Sequence, residues 1–361
     1  MSKQKLQPKN ILIAPLNWGL GHATRCIPII KALQAAKVRV FIASDGRALN
    51  LLSQEFPNLP CLELPAYHIT YDSSNMVWNI AKQLHKIGRA VVQEHLTIRR
   101  IVKQYSIHAI ISDNRFGCFH PKVATVFLTH QIHLKIPFRP LELLAQAVNK
   151  VCIRLFDECW IPDEANAPNL SGTLSHPSQI KYSRYIGILS RMRKQEQPLK
   201  YDAIAVLSGP EPQRSYFEQR ILEQAARLPY RILVVGGKPE VTKYTSNENT
   251  QHITYRPFLN SSALNQAIAA SACVISRSGY STIMDLAYLQ KKAILVPTPG
   301  QTEQEYLAQH FQEQGIFYAV NQTNFDLETA MHAVKYYTAW QQSHPSEVAL
   351  QAALQQLLTR I

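Results

Sequence analysis

The chain has no uninterrupted apolar stretch near the roughly 20 residues that a membrane-spanning helix needs, which excludes an integral membrane protein of the helical kind. Its six cysteines (Cys26, Cys61, Cys118, Cys152, Cys159 and Cys273) form no C-x-x-C pair, so neither a zinc site nor a disulfide framework is expected. Reduced, mostly buried thiols fit that spacing. Long polar tracts are missing as well, and with 46% hydrophobic and only 17% charged residues the chain reads as folded nearly throughout. The opening "MSKQKLQPKN" is basic, and the apolar run after it, Ile11 to Pro15, is too short for the core of a signal peptide. A cytoplasmic protein is expected.

Negative charge is scarce, and the net charge is +13. The excess is concentrated early, with 20 Lys and Arg against 11 Asp and Glu in residues 1–165. Such a half would attract a phosphorylated ligand, an anionic membrane surface or nucleic acid, and charge alone does not choose among them. A stretch at 75–104 reads as a long basic amphipathic helix or helix pair. Its Lys82, Lys86, Arg89, Arg99, Arg100 and Lys103 suit an anionic surface, although a solvated basic helix has the same composition. Nucleic acid is not expected, because the basic residues are not interleaved with aromatics on a recognisable module.

Length puts the chain at about two domains. Strand-like runs alternate with helical ones: "NILIAPL", "TRCIPIIKALQAA", "VRVFIAS", "GRALNLLSQEF" and "CLELPA" come first, and "AIAVLSG", "RSYFEQRILEQAARL" and "YRILVVGG" restart the pattern near residue 201. Strand, crossover helix, strand is the signature of a parallel sheet with helices on both faces. The expected architecture is α/β, two doubly wound Rossmann-like domains facing a cleft, where such folds bind ligands at the carboxyl ends of their strands. The reading assigns 1–165 to an acceptor-binding domain and 166–200, rich in Pro, Ser and Gly and then in charge, to a linker and hinge. It assigns 201–335 to a nucleotide-sugar domain and 336–361 to a terminal helix that could pack anywhere, back on the first domain included.

In "NWGLGHATR" a buried strand ends in Gly19 and Gly21, which permit a tight turn and close backbone approach, before a helix whose unpaired N–H groups point at the same spot. The spacing is not a dinucleotide fingerprint, since Thr24 occupies the place of the third glycine. His22 suits a general base, because a neutral imidazole can take a hydroxyl proton at cellular pH; a capping or core histidine fits equally. Arg25 serves either a phosphate or the surface. Asp113, closing the strand in "AIISDNRFG", reaches the same sheet edge and would fix the imidazole tautomer, unless it only caps the next turn. Asn114, Arg115, His130 and Gln131 follow on that edge and join Gly19, Gly21 and Arg25 on the acceptor side.

The second half repeats the geometry. Ser208 and Gly209 of "SGPEPQRS" lie between a strand and a helix. So do Ser278 and Gly279 of "SRSGYSTIMDLA", followed by Ser281 and Thr282 in the first helical turn. Two helix starts aimed at one place suit a diphosphate. Asp285, four residues past Ser281, is one turn further and suits the hydroxyls of a ribose. Glu303, Gln304 and Glu305 open another helix, where they would bind sugar hydroxyls or merely offset the helix charge.

The order G-x-G-H, then S-G, then R-S-G-x-S-T-x-x-D, then E-Q-E-Y resembles the GT-B glycosyltransferases, most closely the MurG-like and related UDP-sugar transferases. The likeness spans most of the chain, and its second half is the specific part. It implies that Phe258 and Leu259 flank the uracil and that Ser208, Gly209, Ser278, Gly279, Ser281 and Thr282 hold the diphosphate. Asp285 would hold the ribose, and Glu303, Gln304 and Glu305 the sugar; Arg277 matches an arginine of the motif. His22 matches the N-terminal histidine, and Asp113 an aspartate beside it in plant relatives. Two departures are visible: a loop with fewer glycines, and Gln304-Glu305 where MurG has paired glutamines. The resemblance implies inverting, metal-independent transfer of a sugar from a UDP-sugar to a hydroxyl acceptor of a lipid-linked or cell-envelope kind. The nucleotide sugar is then a substrate, and no cofactor is expected. A UDP-sugar epimerase of the same fold is the alternative, together with a basic surface or nucleic-acid binder.

Overall fold

A computed structural model describes residues 8–67, 83–136, 138–238, 252–341 and 346–361. The chain divides into two compact units, Met1–Leu189 with His344–Ile361, and Ser190–Ser343. Each has its own sheet.

In unit 1 the strands β1 (Asn10–Pro15), β2 (Arg39–Ser44), β3 (Cys61–Glu63), β4 (Ala109–Asp113), β5 (Ala124–Leu128), β6 (Glu158–Ile161) and β7 (Ser183–Tyr185) form one sheet in the order β3-β2-β1-β4-β5-β6-β7. Every pairing is parallel. The strands nearest the middle are continuous apolar runs rather than alternating ones because helices cover both faces, as β1 shows with Ile11 to Ala14 fully buried. The helices are α1 (Gly21–Ala35), α2 (Gly46–Glu55), α3 (Leu84–Tyr105), α4 (Arg139–Ile153) and, from the end of the chain, α10 (Ser346–Arg360). The Arg360 guanidinium pairs with Glu158 of β6 and fastens α10 to this unit.

The stretch expected to be a linker belongs largely to unit 1. Asp163 gathers it by accepting hydrogen bonds from the N–H groups of Leu170 (2.9 Å) and Ser171 (2.9 Å), and β7 then adds to the sheet edge. The boundary between the units therefore falls at 189/190. Of the basic stretch, 68–82 with Lys82 lies outside the described residues, whereas α3 exposes Lys86, Arg89, Arg99, Arg100 and Lys103.

Unit 2 contains β8 (Tyr201–Val206), β9 (Ile232–Val235), β10 (Ile253–Arg256), β11 (Ser271–Ser276), β12 (Lys292–Leu295) and β13 (Tyr318–Ala319), all parallel, in the order β10-β9-β8-β11-β12-β13. Its helices are α5 (Gln213–Ala225), α6 (Ser261–Ala269), α7 (Tyr280–Leu289), α8 (Thr302–Glu313) and α9 (Leu327–Ala333). Phe217, Ile221, Ile275, Ile294, Phe325 and Leu327 fill the core on one face.

In both sheets the winding reverses beside the first strand, between β1 and β4 and between β8 and β11. Adjacent crossovers leave on opposite faces there, which opens a crevice at the carboxyl ends of the two strands. The residues following those four strands are the ones the sequence motifs single out.

Candidate active site

At the reversal in unit 1, Pro15 of β1 is in register with Asp113 of β4, and the Leu16 N–H donates to the Asp113 carbonyl (2.9 Å). The Asp113 side chain is thereby fixed at the carboxyl edge, fully buried. The chain leaves β1 through Gly19, whose φ of +80° is unfavourable for a side chain, and enters α1 at Gly21. His22 and Arg25 stand three residues apart on this helix and so share a face. Both turn to Asp113. Nδ1 of His22 lies 2.8 Å from Oδ1 of the carboxylate, while Arg25 Nε donates to Oδ2 at 2.6 Å and Arg25 Nη2 donates to Oδ1.

Arg25 is thus neither a surface residue nor aimed at a phosphate; it is 2% exposed, and its Nη1 lies 2.9 Å from Nδ1 of His130. Burial alone would raise the Asp113 carboxyl, but the charge of Arg25, then that of His22, overrides it and holds the carboxyl down at about 2. Burial, then the neighbouring carboxylate, pushes the Cys26 thiol up, so this cysteine remains protonated and inert.

Of the remaining acceptor-side candidates, Arg115 and the backbone carbonyl of Gln131 have other partners. Asn114 takes the left-handed conformation with φ +56°. Arg115 is fully buried: its Nε pairs with Glu94, Nη1 donates to Asp45 Oδ1 (2.7 Å), and Nη2 donates to the Pro65 carbonyl (2.7 Å). Gln131 receives a hydrogen bond from Asn149 on its backbone carbonyl (3.2 Å). The Arg115 cluster extends to the glycine loop, because Asn17 Nδ2 donates to the other Asp45 oxygen (3.0 Å) while Asn17 Oδ1 accepts from the Ala48 N–H (3.2 Å). Asn17, Asp45 and Glu94 escaped the sequence reading, since no motif marks partners 21 to 70 residues apart.

In unit 2, Ser208 and Gly209 are exposed after β8, and Gly209 has φ +103°. A Cβ at Gly209 would come within 3.4 Å of Thr298 Oγ1 and 3.8 Å of Arg277 Nε, and these two buried atoms have no hydrogen-bond partner among the described residues. Thr298 is a fourth residue missed by the sequence reading. After β11, Arg277 is a buried clamp: Nη1 donates to the carbonyls of Val296 (3.1 Å) and Pro297 (3.2 Å), and Nη2 donates to that of Gln213 (2.9 Å) and to Gln322 Oε1 (2.6 Å). Its guanidinium carbon lies 4.6 Å from the centre of the Phe217 ring. Burial lowers it to about 10.

Ser278 is also buried, and its hydroxyl donates to the Gln304 carbonyl (2.7 Å), so that proton points at α8 and only the backbone remains for an anion. Gly279 precedes α7 with open space beside its Cα, and Ser281 and Thr282 are half-buried in the first turn. Asp285, on the second turn, accepts from Ser190 Oγ (2.6 Å) with Arg191 Nε at 4.0 Å. Burial pushes its carboxyl up, and Arg191 pulls against that. Phe258 and Leu259 are half-buried after β10, where Asn260 caps α6 by accepting from the Ala263 N–H (2.9 Å).

At the start of α8, Gln304 Oε1 accepts from the Thr298 N–H (2.8 Å) and Glu305 Oε1 from the Gly300 N–H (2.9 Å), so both side chains brace the 298–301 loop. Glu303 is half-buried beside them.

Comparison with known proteins agrees with the fold. Residues 204–356 match the glycosyltransferase family 28 C-terminal domain. The UDP-N-acetylglucosamine--N-acetylmuramyl-(pentapeptide) pyrophosphoryl-undecaprenol N-acetylglucosamine transferase of Methylobacterium radiotolerans is 26% identical over 306 residues, 80% of this chain and 77% of that one. The counterpart from Methylorubrum populi is 23% identical over 300 residues, again 80% of this chain and 77% of the relative. Among solved structures, MurG of Acinetobacter baumannii superposes with a TM-score of 0.61 at 14% identity, covering 98% of this chain and all of that one. The spinosyn rhamnosyltransferase SpnG complexed with thymidine diphosphate gives 0.59 at 14% identity, covering 98% and 96%. The chain is therefore a glycosyltransferase of GT-B fold, and its residues 204–356 are a glycosyltransferase family 28 C-terminal domain.

Proposed function

We propose that the protein transfers a sugar from a UDP-sugar to the hydroxyl of a lipid-linked acceptor, with inversion and without a metal. UDP-N-acetylglucosamine is the first donor to test, since it is the one named for both relatives from Methylobacterium and Methylorubrum. The single observation that carries the reading is the reversal in unit 2. There two loop-to-helix junctions, 207–213 and 277–281, leave neighbouring parallel strands at the same edge.

Backbone N–H groups and the positive end of a helix dipole at those junctions would take the diphosphate charge as the leaving-group bond breaks. Ser208, Gly209, Gly279, Ser281 and Thr282 would serve this. His22, with Nδ1 turned to Asp113, would take the acceptor proton as the oxygen attacks the anomeric carbon opposite the departing diphosphate. The epimerase alternative calls for additional carboxylates that move protons on the sugar. Glu305 instead accepts from Gly300, and conversion of a UDP-sugar without any acceptor would restore that reading.

If Asp285 holds the ribose, Asp285→Ala weakens UDP binding by about 1–3 kcal/mol, the range for a charge-assisted hydrogen bond. Titration calorimetry checks this, and unchanged affinity removes Asp285 from the donor site.

A lipid-linked acceptor also calls for a membrane surface, and unit 1 offers a suitable face. Helix α4 and its flanks expose Phe138, Leu143, Leu144, Val148, Val151 and Leu155 together with Arg139 and Arg154. Among the described residues no helix is long and apolar enough to cross a membrane. An apolar stripe edged with cations suits binding in the plane of an anionic surface. Vesicles with anionic lipid should sediment the protein at low salt, and the double substitution Leu144→Glu, Val148→Glu should abolish it. Equal sedimentation of both proteins would place the contact elsewhere.

A further inference from the structure

The triangle formed by His22, Asp113 and Arg25 is closer than a histidine-aspartate pair requires. Nη2 of Arg25 is 2.8 Å from the same His22 nitrogen that faces Asp113 Oδ1, so a guanidinium and a carboxylate both address Nδ1. Two proton arrangements compete. With a bare Nδ1, Arg25 donates to the ring, but the Nδ1 lone pair then confronts the anionic Oδ1 at 2.8 Å. With a proton on Nδ1, the ring donates to Oδ1, an anionic acceptor and the stronger of the two available partners. Arg25 loses little in the second arrangement, because its Nε and Nη2 already grip both carboxylate oxygens and its Nη1 reaches His130.

We propose that Arg25 is a positioning residue: by clamping both oxygens of Asp113 it holds Oδ1 against Nδ1 of His22, which fixes the Nδ1–H tautomer and leaves Nε2 as the ring's proton acceptor. This rests on the reading of His22 as the base, and it adds the residue that makes the base usable. In α1 the clamp follows from spacing, since His22, Arg25 and Cys26 all lie on the face turned to the end of β4. The groups around Asp113 are Arg25, His22 and the Cys26 thiol (Sγ 3.7 Å from Oδ2), with His130 behind the guanidinium. Arg25 is the strongest pull holding the carboxylate ionised. Without it, burial drives the carboxyl upward, and a protonated Asp113 has one oxygen fewer to receive Nδ1–H.

The test combines nitrogen NMR of the free protein with steady-state kinetics. In the wild type the His22 ring nitrogens should show the proton on Nδ1. In Arg25→Gln the signal should become a mixture of tautomers, kcat should fall about 10²-fold or more with the donor KM unchanged, and acid-side loss of activity should begin at higher pH. Arg25→Lys keeps the charge but not the two-pronged grip, and should recover the acid-side profile without recovering kcat. An Nε2–H tautomer in the wild type, or an undisturbed tautomer in Arg25→Gln, overturns the proposal. If Arg25→Gln fails to fold, the wild-type spectrum and Arg25→Lys decide it. A scrambled tautomer with unchanged kcat keeps the clamp and discards His22 as the base.

Discussion

Replacing His22 by alanine is expected to lower turnover by about 10²–10⁴-fold, the usual contribution of a positioned general base. UDP affinity should stay within a factor of two, because the histidine belongs to unit 1 and the donor contacts assigned above belong to unit 2. The argument starts in the backbone. β1 and β4 are neighbours in register, so the residue closing β4 and the helix leaving β1 meet at one edge. A carboxylate buried there would be unfavourable without partners, and His22 and Arg25 are those partners. The imidazole is left 15% exposed, enough for a substrate to reach one side of the ring. An initial-rate assay with a UDP-sugar and a lipid-linked acceptor, run beside titration calorimetry of UDP, checks both halves. A fully active variant would take His22 out of the mechanism.

Arg115→Ala is expected to destabilise unit 1 by about 3–5 kcal/mol, the range for breaking a buried ion pair by removing one partner. The Glu94 side chain is fully buried and Asp45 nearly so, and both depend on this guanidinium. Tyr67 and the Gly117 N–H also donate to Glu94, at 3.1 and 2.7 Å, which supports the carboxylate without neutralising it. Asp45 in turn holds Asn17 at the head of the glycine loop. Urea denaturation should show a lowered midpoint, and the surviving folded fraction should bind UDP with ordinary affinity. Wild-type stability would mean that the cluster stabilises nothing.

The winding of both sheets was legible because parallel, doubly covered strands leave a strong trace: "ILIAP" and "AIISD" in one half, "AIAV" and "CVIS" in the other. Residues adjoining those strands were legible for the same reason, since a motif just after a buried strand must lie at the sheet edge. His22 and Asp113 were paired on that ground, and the structure brings them to 2.8 Å.

Side-chain direction was not legible. Arg25 and Arg115 read as exposed or ligand-facing because isolated arginines usually are, yet both are buried by carboxylates far away in sequence. Ser278 has the same lesson, as its hydroxyl turns to the Gln304 carbonyl. The expected linker at 166–200 misled through composition. Its Pro, Ser and Gly residues make the turns gathered by Asp163, while the added strand β7 is only three residues long and leaves no periodic signal.

Hydrogen–deuterium exchange with and without UDP-N-acetylglucosamine tests the central claim most directly. Backbone amides of 207–213 and of 278–285 should exchange more slowly with the ligand present, because the account has those N–H groups and that helix start hold the diphosphate and ribose. Protection confined to other segments, at ligand concentrations that saturate binding, would contradict it.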